Sequence, residues 1–349
     1  PFSIQAENGG YLVETPFYTV CIDENGMMKT LFDKENQRNV FKPGQNGNRL
    51  RVFEDKPIYY DNWDIDVYYT EKGWDLTDVT SMEWTSVGAL FAELTIERDF
   101  MQSKMRQKIR FYTDSRRIDF DTWVDWHEHQ HLLKVFMPAD VHTDEATFDI
   151  QFGNVTRKTH ANTSWDQARF ESCGHKWVDV SEGGYGVSLL NDCKYGHSVK
   201  EAEIGLTLIK SGIEPNPDTD NEEHFFTYSL YPHAGTWKES DTVKEAEMLN
   251  QPVLTTLGAA VEPMSFVSSD DDNVIIETVK ASEDGKGVVL RVYENQNKRT
   301  NACLTLAHEP KQVYSCNLME EKEDVLLPCM NKVSFTILPY EIKTLYIEF

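Results

Sequence analysis

A chain of 349 residues with 40 % apolar and 12 % aromatic residues is globular rather than disordered, and long enough for one large β domain or two domains. No apolar run approaches the roughly 18 residues of a membrane helix, so a soluble protein without a membrane span is expected. The formal charge of −24 sets the summed field against phosphate, which disfavours nucleic acid and anionic membrane surfaces and favours neutral or cationic partners.

The chain starts at Pro1 without an initiator Met or signal peptide, which suggests a piece of something longer. Short alternating runs then follow one another. They lie at 18–22, 92–96 and 105–112, then at 187–190, 225–231 and 274–279, and finally at 288–293 and 345–349. In Ile118-Asp-Phe-Asp-Thr-Trp-Val-Asp-Trp126 the apolar Ile118, Phe120, Val124 and Trp126 share one face, while Asp119, Asp121 and Asp125 share the other. Glu24-Asn-Gly26 and Glu283-Asp-Gly-Lys286 read as turns, and Gly183-Gly-Tyr-Gly186 as a hairpin or loop. Many short strands without intervening helical patterns predict an all-β, antiparallel sandwich.

One helix is expected. Thr236-Trp-Lys-Glu239 has capping-box spacing, and Val243, Ala246, Met248 and Leu249 follow at helical spacing until Gln251-Pro252. The polar stretch from Glu262 to Asn273 reads as a linker, which divides the chain into 1–261 and 262–349. Six cysteines with no C-x-x-C pair predict free thiols in a reducing cytoplasm, and the acceptor triplets at Asn154 and Asn162 do not change that.

The run Trp126-His-Glu-His-Gln-His131 invites a metal reading. On an extended strand His127 and His129 would lie about 7 Å apart on one face, and His131 about 13 Å from His127, so the run offers two ligands at most. A solvated polar face explains it as well, as a loop explains His142-Thr-Asp144, and no metal site is assigned. There is no G-x-S-x-G, P-loop, H-E-x-x-H or G-x-G-x-x-G. Two stretches, from Tyr59 to Tyr69 and from Ser164 to Glu182, mix aromatic rings with carboxylates and amides, the equipment for a neutral sugar.

Read in order, several segments resemble the C-terminal half of glycoside hydrolase family 38 α-mannosidases, in the bacterial and cytosolic branch. They are Phe53-Glu-Asp-Lys-Pro57, Asn62-Trp-Asp-Ile-Asp66, Leu132-Leu-Lys-Val135, the run from Asn162 to Glu171, His175-Lys-Trp177, the run from Ser181 to Val187, that from Leu190 to Gly196, and that from Phe226 to His233. The tail, from Ile276 to Leu345, is similar to the small β domain that closes those enzymes.

The resemblance implies a large antiparallel β-supersandwich, galactose mutarotase-like, followed by a small β-sandwich. It implies part of a retaining, zinc-dependent enzyme that hydrolyses α-mannosides, with the zinc ligands and Asp nucleophile in an N-terminal catalytic domain outside this chain. The fragment alone is then expected to be inactive, with no catalytic residue and no metal of its own. Its expected partners are that domain and an α-mannoside oligosaccharide. Candidates for a sugar-facing wall are Asp61, Trp63 and Asp64 from one stretch, and Trp165, Asp166, Arg169, Glu182 and Asp192 from the other. The same residues would equally hold loops together, with Arg169 between Asp166 and Glu171 as a salt-bridge hub. A stand-alone mutarotase-like or carbohydrate-binding module is the alternative, and a docking platform that forms homo-oligomers is a third.

Overall fold

The computed structural model describes residues 2–259 and 261–349; Pro1, at which the sequence reading starts, lies outside them. The fold is all-β, with antiparallel pairing throughout the recorded ladders of both units. The chain divides into two compact units, one of residues 1–149 with 155–253, the other of residues 150–154 with 254–349.

The first unit holds three sheets: a five-stranded meander from Ser3–Glu7 to Arg38–Asn39, a nine-stranded sheet and a six-stranded one. In the nine-stranded sheet, Ile118–Asp125 lies between Ser103–Tyr112 and Glu223–Ala234. Its apolar residues Ile118, Phe120 and Val124 are buried, as alternation requires, and Trp126 just beyond it is buried too. The opposite face is only partly solvated. Asp121 is exposed, but Asp119 is buried under Arg117, Tyr112 and Ser229, which donate to it at 2.7, 2.6 and 2.6 Å.

The six-stranded sheet runs in the order Ser172–Cys173, Gly196–Lys200, Glu203–Ser211, His131–Pro138, Arg49–Glu54, Gly73–Asp75. Its inner residues Leu50, Val52, Leu133, Val135, Ile204 and Leu206 join the same core as the inner face of the nine-stranded sheet. A ring of buried polar groups ties the two sheets together. Asn48 donates to Gln107 (2.7 Å), Gln107 donates to Tyr228 (2.8 Å), and the Tyr228 hydroxyl donates back to Asn48 (2.6 Å). Phe120 stacks on the Tyr228 ring at 4.9 Å. The second unit packs a three-stranded and a five-stranded sheet around Leu290, Val292, Leu304, Val333 and Leu345.

The expected helix is Thr242–Asn250, but it starts later than the capping-box spacing suggests. Thr236 and Glu239 do bond, the Thr236 amide donating to the Glu239 carboxylate at 2.9 Å, and that closes a separate turn. A second, single-turn helix at Ser164–Ala168 carries the true capping box, between Thr163 and Asp166. The segment after Ala168 therefore does not enter a strand directly; Arg169 ends the turn and Ser172–Cys173 is the next strand.

Replacing Tyr228 by Phe would keep the stack on Phe120 but leave the Asn48 acceptor and the Gln107 donor unpaired. Tyr228→Phe is expected to lower stability by about 1–3 kcal/mol, read as a shifted urea midpoint at unchanged slope.

Candidate functional site

The outer face of the six-stranded sheet carries a groove. Along Arg49–Glu54 the side chains of Arg49, Arg51 and Phe53 alternate outward against the inward Leu50 and Val52. Across the sheet Arg49 stands opposite Phe136, Phe136 opposite Gly205, and Gly205 opposite Ser198. A side chain at Gly205 would fill this row, since a Cβ there would sit 2.5 Å from the Ser198 Oγ and 2.9 Å from the Phe136 ring. The short 3-10 turn Val67–Glu71 and the segment 158–170 border the same face, and together they enclose a groove of about 590 Å³. That size falls within the ~300–1,000 Å³ typical of small-molecule sites.

The two arginines are held in place. The Arg49 guanidinium lies 5.3 Å from the centre of the Phe136 ring and pairs with Glu203 at 3.1 Å. That of Arg51 lies 5.0 Å from the Phe53 ring centre and pairs with Asp75 at 2.8 Å. Beneath them Lys134, with no exposed side-chain surface, pairs with Glu171 and donates to Ser198 at 3.0 Å, while the Tyr69 hydroxyl donates to Glu171 at 2.5 Å. Burial pulls the Lys134 ammonium below the usual lysine range, against the opposing pull of Glu171. Phe53, Tyr69, Phe136 and Phe170 supply the apolar surface of the groove.

Of the sequence-nominated residues, Asp166 and Arg169 line this groove. Asp166 accepts from the Thr163 hydroxyl (2.8 Å) and amide (3.1 Å), with His160 at 3.5 Å. The Thr163 hydroxyl bond holds its carboxyl below the usual range, with help from the Thr163 amide and the His160 and Arg169 charges. The hub expected at Arg169 is not there. Glu171 is taken by Lys134 and Tyr69, and Arg169 is exposed. Trp165 is 76 % exposed on the single-turn helix, and Trp63 is 75 % exposed beside Tyr60 at 5.4 Å. Asp64 is exposed and accepts from its neighbour Ile65's amide at 2.9 Å.

Three other nominated carboxylates hold loops. Asp61 is buried and accepts from the amides of Ile213 (2.9 Å) and Glu214 (2.8 Å) and from Gln130 (2.9 Å). Burial alone would raise its pKa, but those bonds and the Lys210 charge outweigh it and hold the carboxyl below the usual range. Glu182 accepts from Arg38 (2.6 Å) and the His142 amide (2.9 Å). The Arg38 bond leads in holding that carboxyl low, against burial. Asp192 accepts from the Thr227 amide at 3.0 Å.

The histidine run is not a strand. It turns between Ile118–Asp125 and His131–Pro138, with Gln130 at φ +52° and the buried Glu128 accepting from the Gln102 amide and the Ser103 hydroxyl, both at 2.8 Å. His127 pairs instead with Asp125 at 2.8 Å. No group of three or more His, Cys, Asp or Glu that could hold a metal ion occurs among the described residues. All six cysteines are free.

Arg49, Arg51 and Lys134 were legible only in part. The alternation Arg49-Leu-Arg-Val-Phe53 signals a strand with cations on its outer face. Lys134 sits in the apolar run Leu132-Leu-Lys-Val135, where a lysine signals burial against a partner that the sequence does not name.

Away from the groove, Asp149 accepts from the Lys176 amide at 2.9 Å. Burial pushes its carboxyl up to about 7, against that bond and the Lys176 charge, while Glu247 adds to the rise. A carboxyl raised in this way binds more protons folded than unfolded. Its stabilising contribution is full below about pH 4 and is lost as pH rises through about 7. Asp149→Asn should flatten the fall in melting temperature across that window, recorded by calorimetry at stepped pH.

A family model described as "Glycosyl hydrolases family 38 C-terminal domain" matches residues 13–218, and one described as "Glycosyl hydrolases family 38 C-terminal beta sandwich domain" matches residues 273–345. Alpha-mannosidase G of Dictyostelium discoideum is 35 % identical over 97 % of this chain and 32 % of its own length. Alpha-mannosidase 2C1 of Homo sapiens is 32 % identical over 99 % of this chain and 34 % of its own length. The chain thus spans about a third of these relatives. Among solved structures, an alpha-mannosidase from Enterococcus faecalis V583 matches 99 % of this chain and 43 % of its own, with TM-score 0.81 at 16 % identity, which is a likeness of fold.

Proposed function

Because the chain belongs to glycosyl hydrolase family 38, as its C-terminal portion, we propose that it forms the supporting and partly sugar-facing part of an α-mannosidase. The observation that carries this is the groove on the outer face of the six-stranded sheet, where aromatic rings and hydrogen-bonding groups meet beside Asp166 and Arg169. A sugar presents an apolar C–H face to rings and hydroxyls to polar groups, and this lining suits both.

In this reading the reaction is the retaining hydrolysis of α-mannosides, which requires two carboxyls roughly 5 Å apart across the scissile bond. The nucleophile and the zinc ligands belong to an N-terminal catalytic region, the partner of this chain in the full-length protein. Zinc there would hold sugar hydroxyls. The present residues bind and orient: Arg169 and Asp166 stand at the groove wall, and Trp165 projects next to them from the single-turn helix. Six free cysteines support a reducing, cytoplasmic setting, and no helix among the described residues is long and apolar enough to cross a membrane.

Two results test the reading. The 349-residue chain alone is expected to leave an aryl α-mannoside unhydrolysed, and steady turnover by the purified chain overturns it. In the full-length enzyme Trp165→Ala and Arg169→Ala are expected to raise KM with melting temperature unchanged, since both side chains are exposed in this unit. A loss of melting temperature with KM intact would mark them as packing residues instead.

A further inference from the structure

The charge of the groove runs against that of the chain. Its lining carries five lysine and arginine side chains, Arg49, Arg51, Lys158, Arg169 and Lys200, against two carboxylates, Asp166 and Glu203, in a protein of net charge −24. The two smaller cavities described do not share this. One is lined by Glu54, Asp55, Asp66 and Glu71 with only two lysines, and the other has Asp75 and Asp78 with no cation.

The groove's own acids are occupied. Asp166 is turned into the cap of its helix, and Glu203 is paired with Arg49. Arg169 and Lys200 are exposed and make no ion pair among the described residues. Arg51 pairs with Asp75, and Lys158 with Asp144 and Glu145, all three outside the groove lining, so among the described residues Arg169 and Lys200 are the cations whose charge the groove holds without an ion-pair partner. A concave wall of one sign focuses its field into the cleft, so the local potential can oppose that of the whole surface. A neutral hexose can take hydrogen bonds from these donors on its hydroxyls, but it carries no charge for the field to attract. Guanidinium forks and an ammonium are the groups that recognise phosphate and carboxylate.

We infer that this groove selects a hexose carrying an anionic substituent, phosphate or carboxylate, over the neutral sugar. The ring lies against the aromatic floor, and the anion meets Arg51, Arg169 and Lys200. The inference rests on the reading of the groove as sugar-facing and adds the class of sugar.

The test is calorimetric titration of the 349-residue chain with four probes: mannose, mannose 6-phosphate, glucuronic acid and inorganic phosphate. At least one anionic sugar is expected to bind about tenfold or more tighter than mannose, with the advantage shrinking as salt is raised. Comparing mannose 6-phosphate with glucuronic acid tells which anion the groove takes. Equal binding of all three sugars overturns the anion preference and leaves the sugar-facing reading standing. Inorganic phosphate binding as well as mannose 6-phosphate overturns the part played by the sugar ring. No binding by any sugar overturns both readings.

The double variant Arg169→Gln with Lys200→Gln changes only exposed side chains, and its thermal melt is expected to match the parent. It should lose the anionic advantage, so that the anionic sugars bind this variant no tighter than mannose binds it. An advantage that survives in this variant overturns the assignment to this groove.

Discussion

Everything functional in the first unit depends on the register of one strand. Arg49–Glu54 presents Arg49, Arg51 and Phe53 on one face and Leu50 and Val52 on the other, and a slip of one residue would exchange the two sets. The hydrophobic pattern resists that slip, because two guanidinium groups would have to enter the core. The Asn48–Gln107–Tyr228 ring resists it further. Asn48 immediately precedes the strand, while Gln107 and Tyr228 belong to the nine-stranded sheet, so their hydrogen bonds pin the six-stranded sheet at a single setting. Buried polar groups that have only one way of being satisfied specify one arrangement out of several that would bury equal apolar area.

The same economy of partners explains the groove. Lys134 on the central His131–Pro138 strand is tolerated because Glu171, Ser198 and Tyr69 surround its ammonium, and those groups come from three separate segments. A buried pair of this kind is weak evidence of stabilisation, but removing one partner strands the other charge. It therefore fixes the segment around Glu171, and with it Phe170 and the neighbouring Arg169, against the sheet. The arginines of the adjacent strand lie against aromatic rings and so enter any encounter already ordered, with little rotamer entropy left to lose.

The alternation of apolar and polar residues made the strands readable, because period-two patterning is a local property. Tyr18–Ile22 is a strand with the bounds the pattern suggests, and Trp177 packs inward against Trp237 at 4.9 Å. Side-chain roles were less readable, since they depend on partners far off in sequence. Glu182 is claimed by Arg38, Asp61 by the amides at 213 and 214, and Glu171 by Lys134. No spacing rule reports such pairings. Where a local rule misled, two local solutions competed. Thr236 and Glu239 satisfy each other in a turn without starting a helix, whereas the Thr163 and Asp166 pair, with an Asp in place of the expected Glu or Gln, does start one. The histidine run failed as a strand because Gln130 takes a positive φ and Glu128 turns inward to bind the Ser103 loop.

Gly205 has a consequence of its own. Its neighbours across the row are a phenyl ring and a hydroxyl that stand too close together to admit even a methyl group between them without movement. A missing carbon at 205 thus lets Phe136 and Ser198, two groups of the groove lining, keep their places. Shape and charge meet at that ring, because the Arg49 guanidinium lies 5.3 Å from its centre. A single methyl at 205 would have to push the ring or the hydroxyl, so one carbon on a residue outside the lining would reach both what fits and what is attracted.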